Sequence, residues 1–326
     1  MERIHRFLKR IEVDANLCVD QRRRGIITTL NRIINGLRTL ILAVLQKNIS
    51  SILLASPVIL VLSAFIIVPI MLITIVSFWG STEFSIYPAF IFDNYEFLLT
   101  SDVTYRVFFR TLYFTVLVWA ITLFIGFIVA YYLAFFVHSL TWQIICFLLC
   151  TIPFWTSNII RMISWIPFLG RNGLANHSLI EMGIVDEPVE WLLYSEFSVC
   201  LAFVHLYTLF MVVPIFNTMM RIDKSLIEAA RDAGASSIQI LVNVIIPLCK
   251  PGIMIGSIFV VALVMGDFIT VRFMSGSQIA NMGRLISNDI NLLQYPSACA
   301  TAVILLATVV IIISIMLRFV DIRKEL

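Results

Sequence analysis

Six apolar stretches, each near or above the ~20 residues that cross a bilayer as a helix, leave this chain few ways to fold. They lie near 51–78, 107–137, 140–169, 197–220, 252–274 and 297–320. In lipid each must be helical, because no water is present to satisfy the open edge of a strand. The composition agrees: 60% of the 326 residues are hydrophobic and 13% are charged, against roughly a quarter charged in soluble domains. A water-facing shell cannot be built from so few charges, so the expected fold is an all-α membrane protein with six transmembrane helices. Pro57, Pro69, Pro153, Pro167 and Pro214 fall inside the spans and predict kinks. The six cysteines sit in or beside apolar segments or in the basic N-terminal region. Cys146 and Cys150, on one helix face with no His or acidic cluster near them, read as packing residues rather than metal ligands.

The chain divides by composition into residues 1–50 and residues 51–326. The first part carries ten Lys and Arg, including the run Arg22, Arg23, Arg24, and between 26 and 45 its apolar residues follow helical spacing. It reads as a basic amphipathic extension on the cytoplasmic membrane surface or packed on the rest of the chain. Lys and Arg concentrate in 1–50, in 221–250 and in the tail after 317, which together hold every lysine. The positive-inside rule then places both termini in the cytoplasm. The loops 79–106, 170–196 and 275–296 face outward and are rich in Asp and Glu. That face suits a cationic solute or a basic docking partner, although acids are also the ordinary polar residues of such loops.

The cytoplasmic segment 221–250 is the most informative. Asp223 or Ser225 can cap a helix of good formers, Glu228, Ala229, Ala230 and Arg231. Gly234 permits a sharp bend, Ser236 or Ser237 can cap a second short helix, and Pro247 closes the unit where the chain re-enters the membrane. A helix, a glycine elbow and a second helix present a compact knob to the cytoplasm.

Glu228-Ala229-Ala230, three residues, Gly234, nine residues and Val244-Ile245-Ile246-Pro247 resemble the EAA loop of ABC-importer permeases, with Val244 and Ile246 standing for the family's Ile and Leu. Asn172-Gly173-Leu174-Ala175-Asn176, Gly183-Ile184-Val185-Asp186-Glu187-Pro188 and Gly266-Asp267-Phe268-Ile269-Thr270 are similar to the first permease of spermidine/putrescine importers. Those relatives continue with a proline and small residues where this chain has Val271 and Arg272. The resemblance implies a type I ABC-importer permease fold in a bacterial inner membrane. It implies that Glu228, Ala229, Ala230, Gly234 and Pro247 belong to a coupling loop docking on a separate ATPase homodimer. A second permease, an extracytoplasmic solute-binding protein and membrane lipid complete the implied partners; no nucleic acid and no cofactor are expected. The chain has no G-x-x-x-x-G-K-[S/T] phosphate loop, which fits a non-catalytic subunit that relies on another for ATP.

Asp267 lies inside an apolar run, where a lone carboxylate needs a cavity or a partner. It either lines the solute path and meets a cationic amine or pairs with Arg272 or Arg161. Phe268, Thr270, Trp155 and Arg161 are the other candidates for the path; Trp155, Trp165 and Tyr131 offer cation–π faces. Arg161 is expected to be paired with an acid, and His138 and His205 to be satisfied within the helices. Other cargo for the same machinery (an opine, thiamine or ferric ion), an ion-driven secondary transporter and a membrane-anchored scaffold are the alternatives. A secondary transporter would be expected to show more intramembrane acids or an inverted repeat.

Overall fold

A computed structural model describes residues 56–82 and 85–318. The basic extension 1–50 therefore lies outside the described residues, as does the end of the tail. The chain divides into two units, Met1–Ile70 and Met71–Leu326. Helix α1, Ser56–Val76, is the first apolar helix long enough to span. A two-stranded antiparallel ladder follows, β1 (Gly80–Ser81) with β2 (Ile86–Tyr87), Gly80 opposite Tyr87. Next come α2 (Asp93–Thr100) and the long α3 (Asp102–Phe135). A bent segment holds α4 (Leu140–Thr151), α5 (Asn158–Ile163), α6 (Trp165–Leu169) and α7 (Leu174–Glu181). After α8 (Glu196–Met219), the segment 221–250 holds α9 (Lys224–Asp232) and α10 (Ser237–Ile240). The chain ends with α11 (Ile246–Gly266), α12 (Ile269–Met274), α13 (Met282–Asn291) and α14 (Tyr295–Arg318).

Among the described residues five helices are long and apolar enough to cross a membrane, and six if the bent segment counts as one span. Two of the expected spans differ in form. The stretch 140–169 is broken: Pro153 sits in a 3-10 turn, Ile152–Trp155, the chain turns extended at Thr156 and Ser157, and the two arms meet at 92°. The fifth span begins and ends earlier than 252–274, running Ser237–Gly266. A π turn, Leu241–Ile245, links α10 to α11, with the Ile246 N–H reaching back to the Leu241 carbonyl. Pro247 thus lies within the continuous helical run Ser237–Gly266, just after the π turn, instead of separating two elements.

Helices α3, α8 and α11 form the centre. Phe114 and Val118 of α3, Phe203, Leu206 and Met211 of α8, and Val260 and Val264 of α11 share one buried cluster. The sorting is that of a membrane bundle. On α3 the buried positions include Thr111, Thr115, Thr122 and Gly126, while Phe109, Val116 and Phe124 are exposed. Small and hydroxylated residues let helices approach, and the hydroxyls bond back to their own helix: Thr111, Thr115 and Thr122 donate to the carbonyls four residues earlier at 2.7–2.8 Å. Large apolar residues are left for lipid. Helices α8 and α11 approach closely at Gly252 and Gly256. A Cβ on Gly252 would stand 2.6 Å from the Pro214 carbonyl oxygen, and one on Gly256 would lie 3.3 Å from that of Phe210. Cys146, Cys150 and Cys200 pack half-buried against the central cluster, and Cys249 is buried within it.

The ends of the bundle are tied separately. At one end Ser81 Oγ donates to Gln294 Oε1 at 3.0 Å, Arg110 pairs with Glu196 at 3.0 Å, and Ser198 Oγ donates to the Met274 carbonyl at 2.9 Å. These bonds gather the three acidic loops. At the other end Gln143 Nε2 donates to the Leu133 carbonyl at 2.8 Å and lies 3.0 Å from Met220 Sδ, joining α4 to the end of α3 and to the C-terminal end of α8.

Candidate functional site

Two places carry the residues singled out from the sequence: the break between α11 and α12, and the α9–α10 elbow.

At the break, α11 stops because Asp267 leaves helical geometry, at φ −82° and ψ 107°. Its carboxylate does what Asp does at helix starts. Oδ1 accepts the Thr270 N–H at 2.9 Å, and Oδ2 accepts Thr270 Oγ1–H at 2.5 Å. The Tyr207 hydroxyl of α8 donates to Oδ2 at 2.6 Å. The Asp267 carbonyl accepts Asn281 Nδ2–H at 2.9 Å, and Asn281 Oδ1 caps α13 through the Arg284 N–H at 3.0 Å. The Met282 N–H donates to Thr111 Oγ1 on α3 at 2.9 Å. One acidic residue therefore ends a spanning helix, starts the next and anchors the loop helix beyond.

An open cavity of about 300 Å³ lies against this break, lined by Asp267, Thr270, Tyr207, Asn158 and the apolar side chains around them. That is the lower end of small-molecule pockets, roughly 300–1,000 Å³. Asp267 makes no ion pair with Arg161 or Arg272. The expected acid partner of Arg161 is also absent among the described residues. Arg161 is buried, its Nη2 donates to Asn158 Oδ1, and its Nε has no partner there.

Of the other candidates, Thr270 joins Asp267 directly. Phe268 is the N-cap of α12 and packs beside Gly283. Trp155 closes the 3-10 turn and is 84% exposed. Trp165 Nε1 donates to His205 Nδ1 at 3.0 Å, and His138 Nδ1 lies 2.9 Å from the Phe136 carbonyl, so both histidines have partners. Tyr131 stands in a row of rings with Phe127 and Phe135. Tyr207, Asn158 and Asn281 were not singled out: in sequence each is one of many aromatic or amide residues, and only the fold brings them to Asp267.

The elbow follows the local rules closely. Asp223 caps α9 by accepting the Ser225 N–H at 2.9 Å, a bond that holds its carboxyl below the usual carboxylate range. Glu228 and Ala229 are exposed, while Ile222, Ile227 and Ala230 pack on the central cluster. Gly234 has φ +83°, and the bonds Gly234 N–H to Arg231 O (2.9 Å) and Ala235 N–H to Ala230 O (3.0 Å) form a Schellman end. Ser236 and Gln239 cap α10 reciprocally at 2.8 and 3.3 Å. On the opposite end of the bundle, burial raises the Asp289 carboxyl, partly offset by the Ser297 hydroxyl donating at 2.9 Å.

The elbow, the broken helices and the bundle can be compared with known proteins. No protein-family model matches the chain. The spermidine/putrescine transport system permease protein PotB of Escherichia coli (strain K12) is 31% identical over 255 residues, which cover 78% of this chain and 90% of the relative. The chain belongs to the ABC transporter permease family. PotB of Haemophilus influenzae is 32% identical over 227 residues, covering 69% of the permease described here and 78% of the relative. The inner membrane ABC transporter permease protein YdcU of Escherichia coli is 28% identical, covering 59% and 68% respectively. Among solved structures, a chain of a bacterial alginate ABC transporter in complex with an alginate pentasaccharide-bound periplasmic protein superposes with a TM-score of 0.69. It matches 86% of the permease and 96% of its own length at 16% identity, a likeness of fold. The permease is a multi-pass membrane protein of this class, with the apolar helices its relatives lead one to expect.

Proposed function

We propose that this chain is a permease subunit of an ATP-driven, binding-protein-dependent importer in a bacterial inner membrane, with polyamines such as spermidine and putrescine as cargo. The observation that carries the cargo class is Asp267. It is a carboxylate without a cationic partner, fixed by three hydrogen bonds at the edge of a cavity between spanning helices. A group so placed in a low-dielectric span favours a cation that sheds its water there. The names of the 31–32% identical relatives support the same cargo.

The α9–α10 elbow is the proposed coupling element. Its exposed face, around Glu228, Ala229 and Gly234, would dock on an ATPase subunit, and Pro247 would lie at the root of the helix that carries the motion onward. The π turn at Leu241–Ile245 joins this elbow directly to α11, and α11 ends at Asp267. ATPase closure would thus act on one continuous helical segment with the coupling surface at one end and the carboxylate at the other. A second permease would complete the pore, both termini would be cytoplasmic, and residues 1–50 would form a separate basic extension before the permease domain 51–326.

The test is uptake of labelled spermidine and putrescine by cells lacking the gene, with and without a plasmid copy, in energised and ATP-depleted cells. Uptake should return with the plasmid and vanish with ATP. Asp267→Asn, which keeps the shape and removes the charge, should lower apparent affinity by about 10- to 100-fold, the scale of a charge-assisted hydrogen bond. Uptake independent of the gene would overturn the polyamine assignment.

A further inference from the structure

The cavity at the α11–α12 break is unusual in what it leaves unoccupied. An ionised carboxylate offers about four lone-pair positions. At Asp267 two on Oδ2 are filled by the Tyr207 and Thr270 hydroxyls at 2.6 and 2.5 Å, and one on Oδ1 by the Thr270 N–H at 2.9 Å. One position on Oδ1 is left. Asn158, also on the wall, accepts Arg161 Nη2–H at its Oδ1. The rest of the wall is mainly hydrocarbon: Ile159, Met162, Leu263 and Ile269. The C-terminal turn of α11, the negative end of its dipole, also borders the space through Ala262, Leu263 and Gly266. The geometry is one charged acceptor with two neutral hydroxyl oxygens close by, beside a surface for methylene groups.

We propose that this cavity seats a single protonated primary amine on Asp267 Oδ1, and that Tyr207 sets its preference for an alkylammonium ion over divalent metal ions by occupying Oδ2. The inference rests on the cationic-cargo reading and deepens it. A divalent ion needs about six or more oxygen ligands in near-regular geometry. Here Oδ2 is taken twice, the Asn158 carbonyl is engaged, and the other side-chain oxygens of the wall, on Tyr207 and Thr270, are neutral hydroxyls whose protons are committed to that carboxylate. Among the described residues no group of three or more His, Cys, Asp or Glu stands close enough to hold a metal. Tyr207 acts through Asp267 and is a positioning residue.

The experiment uses the whole transporter, reconstituted with its ATPase, second permease and binding protein in liposomes with ATP sealed inside. ATP-driven uptake of labelled putrescine is measured against increasing Mn²⁺ outside, each variant being compared with its own metal-free rate. The wild type should resist millimolar Mn²⁺. Tyr207→Phe, which keeps the ring and frees a lone pair on Oδ2, should lower the inhibitory Mn²⁺ concentration about tenfold, the low end for a hydrogen bond to a charged group. Thr270→Val frees the other Oδ2 position and should shift it the same way, so the inference can be read if Tyr207→Phe does not assemble. Unchanged Mn²⁺ inhibition in a transporting variant overturns the role of Tyr207 while leaving the polyamine reading standing. A wild-type complex that hydrolyses ATP but moves no putrescine or spermidine overturns that reading, and this inference with it.

Discussion

At the residue scale, Gly234 shows how one backbone angle fixes a functional prediction. A Cβ at this position meets nothing within 4 Å, so the free chain has space for a side chain, but φ is +83°. Residues other than Gly and Asn enter that region at roughly 1–2 kcal/mol, and a β-branched residue suffers most. Gly234→Asn should therefore keep most of the polyamine uptake, whereas Gly234→Val should lose it with normal membrane levels. Uptake assays paired with immunoblots of the membrane fraction separate the two effects. Normal transport by Gly234→Val would refute the coupling role, and equal loss in both variants would show that the left-handed angle is not what Gly234 contributes. Local rules made this residue legible in sequence, because a Schellman end needs only a short helix and a residue tolerant of positive φ. Asp267 was legible only in part: its position in an apolar run marked it as unusual, but nothing local could reveal that its partner would be Tyr207, sixty residues earlier, rather than an arginine.

At the scale of elements, hydropathy located the spans because lipid demands long apolar helices, and it could not locate their breaks. The break at 152–157 follows from Pro153 together with the extended Thr156 and Ser157, and the one at Asp267 from a side chain competing with the helix for the Thr270 N–H. Neither changes the mean hydropathy of the stretch. The packing of α8 against α11 was equally hidden, since it depends on which glycines face which carbonyls. A Cβ on Gly252 would stand 2.6 Å from the Pro214 carbonyl oxygen and closer still to Thr218 Oγ1, and the carbonyl cannot swing aside. At Gly256 the nearest atom, at 2.8 Å, is the Met211 sulfur, which belongs to a flexible side chain. Gly252→Ala should accordingly destabilise the permease by about 1–3 kcal/mol, the usual range for overpacking. Gly256→Ala should cost less. Thermal unfolding of the purified complex in detergent ranks the two, and the reverse order would mean that α8 shifts more readily than Met211.

At the scale of the whole molecule, we propose that the long segment Ser237–Gly266 carries an alternating-access motion. The proposed ATPase contact lies at the elbow before it, the π turn and Pro247 lie at its root, and the cavity lies at its far end. If the helix between those points moved as one body, it would carry a tilt from one to the other, changing which side of the membrane the cavity meets. Ile159 lines the cavity and is 42% exposed, which makes it a usable reporter. With the native cysteines replaced by alanine and Ile159→Cys introduced, a membrane-impermeant maleimide should label the nucleotide-free complex from one side of the bilayer. With the ATPases trapped closed by a non-hydrolysable ATP analogue, labelling should pass to the other side. The Gly234→Val variant should keep the first pattern whatever the nucleotide, because its elbow would no longer transmit the closure. Labelling from the same side in both nucleotide states of the unaltered elbow would exclude this cavity from the alternating path. Asp267 would then remain a structural cap joining α11, α12 and α13, with solute recognition located elsewhere in the assembled pore.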